Sequence, residues 1–189
     1  MAPKMTMETP VGGSETAFRW TRSTTIALAM EGCCKCAGYG LIRVRDGVDA
    51  CDCVKRLICR TVVGRLREIM QQQGGKASVA LDRTGGMKTK HYSFGRPLEE
   101  FTADAWLIAR RALAATEYDC FRNAMVLGAD WKAMTKHLKM DRGNYYHLYY
   151  RTEDKLGEAW ATTIPYPVFP IDEYFGNRKG DAEAAPTGN

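Results

Sequence analysis

Apolar side chains recur every three or four residues between Cys53 and Met70. They fall on one face of a helix, because 3.6 residues complete each helical turn. The pattern therefore predicts a helix over residues 52–72. Its apolar positions are Val54, Leu57, Ile58, Val62, Leu66 and Ile69.

The same spacing returns in the second half of the chain and predicts four further helices. Their predicted bounds are residues 103–115, 117–127, 130–138, and about 142 to 156 or beyond. Thr116, Asp130 and Asp141 can cap helix starts, and Gly128 can end a helix in the left-handed conformation. The last helix is predicted to turn five side chains toward the core: Tyr145, Leu148, Tyr149, Thr152 and Leu156.

The other segments carry weaker patterns. Residues 17–30 fit a strand or a short helix equally well, whereas residues 40–47 alternate apolar and basic side chains as a short strand does. Three prolines within residues 164–170 predict an extended segment whose aromatic side chains pack back on the helices. The polar ends, 1–15 and 176–189, are predicted to be disordered, and the basic, Gly-rich stretch 73–97 is predicted to be a linker.

Composition and charge narrow the classes of function. The chain has 189 residues, 45% of them hydrophobic, and contains no apolar run long enough to span a bilayer. The net charge is +5, and two stretches carry it: 71–97 has five basic residues against one acidic, and 122–156 has seven against four. Segregated positive charge favours a polyanionic partner, although a solvated surface is the alternative interpretation. A cytoplasmic location, in a bacterium or a bacterial host cell, is expected.

Six of the seven cysteines fall between Cys33 and Cys59. Without an export signal, such clustering indicates a metal site rather than a disulfide framework. Cys33 and Cys36 form a C-x-x-C pair, and Cys51 and Cys53 form a C-x-C pair separated from it by 14 residues, a spacing typical of four-cysteine zinc sites. The predicted ligands of one structural zinc ion are Cys33, Cys36, Cys51 and Cys53. Cys34 and Cys59 are alternative ligands, and a set of buried reduced thiols is the alternative to a metal.

The stretch CKCAGYG resembles one C-x-x-C-x-G-x-G unit of the DnaJ cysteine-rich domain. The second pair lacks the glycines of that family and no HPD motif is present, so the resemblance implies a zinc knuckle and not a chaperone. A zinc ion with four thiolates carries a net charge of −2, which disfavours direct binding of a polyanion there. The knuckle is therefore predicted to stabilise the fold.

A short helix, a turn and a longer helix over residues 130–156 form a helix-turn-helix pattern. Here the sequence resembles region 4 of the sigma-70 factors and the related LuxR-type motif, whose pattern reads L-G-I-S-x-G-T-V…L…A…L. Tyr145 and Tyr149 depart from it, because small aliphatic side chains occupy those positions in the families. The resemblance implies that the second helix reads the major groove of DNA. The matching positions are Leu138, Lys139, Met140, Asp141, Arg142, Gly143, Asn144, Tyr145, Tyr149, Thr152 and Leu156.

The polar side chains of the same helix favour DNA binding independently of this resemblance. Arg142 suits guanine and Asn144 suits adenine, whereas Lys132 and Lys136 on the preceding helix suit phosphates. A plain helical bundle with a solvated polar face is the alternative. The predicted DNA-binding residues are Lys132, Lys136, Arg142, Asn144, Tyr146, His147, Tyr150 and Arg151.

These patterns predict a mainly α fold in two parts. A small zinc knuckle with a short β element and its following helix spans residues 16–72, and a helix-turn-helix domain spans 98–175. The predicted function is sequence-specific binding of double-stranded DNA in transcription control, without enzymatic activity or membrane association. The layout resembles small regulators encoded by bacteriophages and prophages. The alternatives are a protein-binding adaptor, for example to RNA polymerase, and a single-stranded RNA binder that stacks bases on Tyr146 and Tyr150.

Overall fold

Helices make up most of what the computed structural model describes, namely residues 19–45, 47–76, 96–164 and 166–175. One antiparallel hairpin accompanies them, so the predicted mainly α fold with a small β element is confirmed. The predicted disordered ends, 1–15 and 176–189, and most of the predicted 73–97 linker lie outside the described residues. None of the described helices is both long enough and apolar enough to cross a membrane.

The elements follow the chain in a simple order. The elements are α1 (Arg22–Thr25) with a 3₁₀ turn (Ile26–Leu28), β1 (Leu41–Val44), β2 (Gly47–Ala50), α2 (Asp52–Lys76), α3 (Arg96–Ala112), α4 (Ala115–Asp119), α5 (Trp131–Leu138), α6 (Arg142–Thr162) and α7 (Asp172–Phe175). Strands β1 and β2 pair with Leu41 opposite Ala50 and Val44 opposite Gly47. The seven-residue segment Cys120–Val126 is π-helical and continues α4.

The long helices α2 and α6 cross at a point where their backbones nearly touch. Gly157 of α6 lies against Lys55 of α2, and a Cβ atom at position 157 would stand 1.8 Å from the Lys55 carbonyl oxygen. Only glycine permits this approach. The two helices share one core with α3, α7 and the π-helical segment, in which Trp160 is fully buried and donates from Nε1 to the Ala105 carbonyl (3.1 Å).

Ion pairs flank the same helix–helix contact. Basic side chains on α2 meet acidic side chains on α6: Lys55 contacts Glu158 (3.1 Å), Arg56 contacts Asp154 (2.8 Å), and Arg60 contacts Glu153 (2.8 Å). Glu153 is buried, and Arg60 holds it with two nearly parallel hydrogen bonds. These two hydrogen bonds offset the cost of burying the carboxylate, so the ion pairs align the two helices.

Several predicted bounds differ from the structure. Helix α2 extends to Lys76, and α3 begins at Arg96 rather than at residue 103. Leu57 is exposed although the apolar pattern assigned it to the buried face. The proline-rich segment is not extended throughout, because it ends in α7. Tyr174 and Phe175 do pack back and meet the Phe101 ring edge-on at 5.4 and 5.2 Å, whereas Tyr166 is exposed.

Candidate metal centre and nucleic-acid interface

Four cysteine sulfurs converge where the knuckle meets the first turn of α2. The Sγ atoms of Cys33 and Cys51 lie 3.7 Å apart, those of Cys36 and Cys53 lie 3.6 Å apart, and all four lie within 4.8 Å of one another. Four sulfurs bound tetrahedrally at about 2.3 Å from a zinc ion are separated by about 3.8 Å. The donor set and its spacing therefore fit a metal ion.

The backbone explains why these cysteines meet. After Cys33 the chain makes a tight turn in which Ala37 donates to the Cys33 carbonyl (2.8 Å) and Tyr39 donates to the Cys36 carbonyl (2.9 Å). Gly38 adopts a positive φ of 81°. Gly40 has a φ of 75°, and a Cβ atom there would lie 2.7 Å from the Thr25 carbonyl oxygen, so glycine is required on both counts.

The second cysteine pair follows from the hairpin and the start of α2. Strand β2 delivers Cys51 directly to the helix start, where its carbonyl accepts hydrogen bonds from the backbones of Val54 (2.9 Å) and Lys55 (3.2 Å). Cys53 then lies in the first helical turn. The sequence did not reveal β2, because its alternation, Val48 and Ala50 around Asp49, is too short to distinguish a strand from a turn.

The thiols of the cluster differ in acidity without a metal. Hydrogen bonds from the Cys36 and Lys35 backbone N–H groups lower the pKa of Cys33 to about 6, whereas burial raises the pKa of Cys51 to about 12. Burial also raises the pKa of Cys53. Four thiolates this close to one another repel each other. A bound metal ion would offset this repulsion, and it would also favour loss of the thiol protons.

The remaining cysteines lie away from this centre. Cys34 is exposed, and Cys59 and Cys120 are buried in apolar surroundings that raise the pKa of each thiol. Neither alternative ligand, Cys34 or Cys59, belongs to the group of converging sulfurs found among the described residues.

Helices α5 and α6 and the turn between them form the second candidate site. Asp130 caps α5 by accepting from the Ala133 N–H (2.7 Å), and Asp141 caps α6 by accepting from the Asn144 N–H (2.9 Å), as predicted. Lys139 ends α5 in the left-handed conformation. The predicted inner face of α6 is buried or half-buried, and Met140 packs with Met134 under the turn.

Most of the predicted DNA-binding residues are exposed, and four of them line one groove. Lys132 and Lys136 are exposed on α5, and Arg142, Asn144, His147, Tyr150 and Arg151 are exposed on α6. Tyr146 is half-buried. The groove, of about 670 Å³, is lined by Asn144, His147, Tyr150 and Arg151 together with Thr116 and Arg56. The Arg56 guanidinium stacks over the Tyr150 ring (4.8 Å), a contribution from α2 that no local pattern in the sequence indicates.

Glu117 anchors α4 to α6 from within the core. Its carboxylate is 2% exposed and accepts hydrogen bonds from Lys155 (2.7 and 2.9 Å) and from the Ala114 backbone (3.0 Å), and Arg151 lies 3.0 Å away. The Glu117 carboxylate, and not the Thr116 hydroxyl, therefore accepts the backbone N–H at the start of α4. The predicted cap at Thr116 is wrong. Burial opposes ionisation of Glu117, but the bonds from Lys155 and Ala114 outweigh it and lower the pKa.

Replacing Glu117 by glutamine is expected to lower the free energy of unfolding at pH 7 by about 2 kcal/mol, because two cations lose their shared partner. A lowered carboxyl pKa gives stability that is present above the ordinary value of 4.5 and is lost as the pH falls through the folded-state pKa. Urea unfolding from pH 7 to 3 should therefore show the difference between wild type and Glu117→Gln shrinking in acid. Glu68→Gln is the control, because it breaks an exposed pair with Arg65 (2.9 Å) and should change stability by less than about 0.5 kcal/mol.

The two candidate sites lie toward opposite ends of α6. Ala161, near the end of the helix, packs with Ala50, Val54 and Ile58 beside the cysteine cluster. At a rise of about 1.5 Å per residue, Ala161 lies about 28 Å along the helix from Arg142. The cysteine cluster and the predicted DNA-reading turn are therefore separate sites on one rigid element.

Comparison with known proteins gives no relative from which to assign a function. No family model matches the chain, and neither the curated proteins nor the solved structures contain a match. The resemblances to the sigma-70 region 4 motif and to the DnaJ unit therefore stay predictions.

Proposed function

We propose that the chain is a sequence-specific DNA-binding regulator of transcription, with α5 and the exposed face of α6 as its DNA-binding surface. The way α6 is packed carries the proposal: its inner face is buried, whereas its first turns present Arg142, Asn144 and His147 to solvent. Residues 130–151 hold five basic side chains against two acidic ones, and both acids are engaged as helix caps. A recognition helix needs such an exposed first turn within a basic surface.

We further infer that the four converging cysteines bind one structural zinc ion. The ion supplies a cross-link that neutralises thiolate charge and joins the knuckle to α2. The cysteines themselves supply most of the knuckle's own core, together with the partly buried Ile42. With a net charge of −2 and a position far along α6, the centre supports the fold rather than contacting DNA.

A protein-binding adaptor is the second candidate function, and one observation favours it. A groove of about 530 Å³ beside the cysteine cluster is lined by Leu28, Met30 and Leu57, and Met30 is 59% exposed. Binding of single-stranded RNA has less support, because Arg56 and Tyr146 already lie against the Tyr150 ring. A base that stacks on that ring competes with these contacts.

Replacing both Lys132 and Lys136 by alanine is expected to weaken binding to every DNA duplex and to flatten its salt dependence. Each lost phosphate contact removes about 0.9 from the slope of log affinity against log salt, so the double variant should lose about 2. Fluorescence anisotropy of a labelled duplex at 50 to 300 mM salt measures both quantities.

The matched control removes two exposed arginines from the hairpin, as Arg43→Ala with Arg45→Ala. It makes the same charge change at the knuckle and should leave the slope unchanged. A slope that falls in the hairpin variant and not in the α5 variant would place the DNA surface at the knuckle and contradict the proposal. No duplex binding by the wild-type chain would favour the adaptor.

A further inference from the structure

The guanidinium of Arg142 is held by aromatic rings rather than by carboxylates. It lies over the Trp131 ring of α5 at 4.8 Å from the ring centre and over the Tyr146 ring at 5.7 Å. Arg142 is exposed and forms no ion pair with any residue in the described part of the chain. We call Trp131, Arg142 and Tyr146 the aromatic clamp.

The neighbouring polar groups are engaged in other contacts. Arg151, the other arginine on the exposed face of α6, pairs with Glu117 at 3.0 Å. Arg56 at the edge of the groove pairs with Asp154 at 2.8 Å. The side-chain amide of Asn144 donates to the carboxylate of Asp141, which draws it into the helix cap. Arg142 is therefore the guanidinium on this face whose N–H donors have no carboxylate partner.

We propose that Trp131 and Tyr146 are positioning residues that hold Arg142 to read one guanine, and that this contact sets the sequence preference. The inference rests on the proposed DNA-binding function and adds the choice of Arg142 over Asn144 as the base reader and the residues that orient it. In the sequence alone, Arg142 and Asn144 are equal candidates for reading bases.

The physical reason lies in how rings hold a cation. A ring face attracts the guanidinium electrostatically and leaves its N–H donors free, whereas a carboxylate binds those donors. Arg142 is also the first residue of α6, the position from which a recognition helix reaches base edges. Guanine offers O6 and N7 as a pair of acceptors that match the arginine fork. A side chain already ordered by the clamp loses less rotamer freedom on binding.

The test uses the duplex that the zinc-loaded, full-length wild type selects most strongly from a random pool. Each guanine in it is replaced in turn by 7-deazaguanine, which lacks the N7 acceptor. At one guanine the wild type is expected to lose about 5- to 150-fold in affinity. Arg142→Ala should be insensitive to the same replacement, and Arg142→Lys, which keeps the charge without the fork, should lose less than the wild type.

The clamp itself is tested by Trp131→Leu and, independently, by Tyr146→Leu, each checked for folding by thermal melting. Both are expected to reduce the effect of 7-deazaguanine while keeping the salt slope, and Trp131→Phe should restore it. Sensitivity unchanged in every folded clamp variant would overturn the positioning role. A selected duplex in which no guanine is coupled to Arg142 would overturn the guanine assignment alone, whereas failure to select any duplex would overturn the proposed function as well.

Discussion

Replacing Cys51 by serine is expected to abolish metal binding and to unfold the knuckle. The wild-type chain should contain close to one zinc ion per chain by elemental analysis, and Cys51→Ser should contain none. Metal binding contributes about 10 kcal/mol to the folding of small zinc units. Apart from the cysteines, the knuckle is held by Ile42 and by a small cluster of Trp20, Leu28, Ala29 and Ala50 against α2 and α6. Residues 19–51 should then become sensitive to proteolysis, while most of the helical circular-dichroism signal persists because the main core contains none of the four ligands.

Cys34→Ser is the matched control, because Cys34 is exposed and lies outside the converging group. It should keep one zinc ion per chain and a protected knuckle. Zinc-free wild-type protein with a protected knuckle would show that the cysteines are a reduced thiol cluster. Loss of zinc in Cys34→Ser would show that the ligand set is different.

Replacing Gly157 by alanine is expected to destabilise the protein by at least about 3 kcal/mol, which urea unfolding can measure. The new methyl group would overlap the Lys55 carbonyl, so α2 and α6 must move apart. Separation also strains the ion pairs of Lys55, Arg56 and Arg60 with α6. The gain in helix propensity, about 1 kcal/mol, offsets only part of this loss.

Gly64→Ala makes the same chemical change inside α2, where a Cβ atom would meet nothing within 4 Å. It should stabilise the protein by about 0.5–1 kcal/mol, because alanine restricts the unfolded chain and favours the helix. Equal effects of the two substitutions would contradict the close crossing of α2 and α6.

Local signals in the sequence predicted the parts of the structure that depend on neighbours along the chain. The caps at Asp130 and Asp141, the C-terminal glycine at Gly128 and the buried face of α6 all follow from spacing and side-chain chemistry over a few residues. The convergence of the four cysteines was predicted in the same way, because the C-x-x-C and C-x-C spacings each let two sulfurs point at one ion.

Contacts between distant residues explain what the sequence did not reveal. The requirement for glycine at 157 comes from Lys55, and the burial of Glu117 depends on Lys155. Charge pattern alone did not show that Arg56 would reach Tyr150, since 94 positions along the chain separate them. The difference between Arg142 and Asn144 likewise appears only once ring contacts and cap bonds are placed in space.

The most direct test of DNA binding through α6 is selection of duplexes from a random pool by the zinc-loaded, full-length chain. We expect the wild type to enrich a common sequence that contains a guanine, and the double variant Arg142→Ala with Asn144→Ala to enrich none while its helical circular-dichroism signal is unchanged. No enrichment by the wild type, or the same sequence enriched by the variant, would contradict the proposal that the first turn of α6 reads DNA.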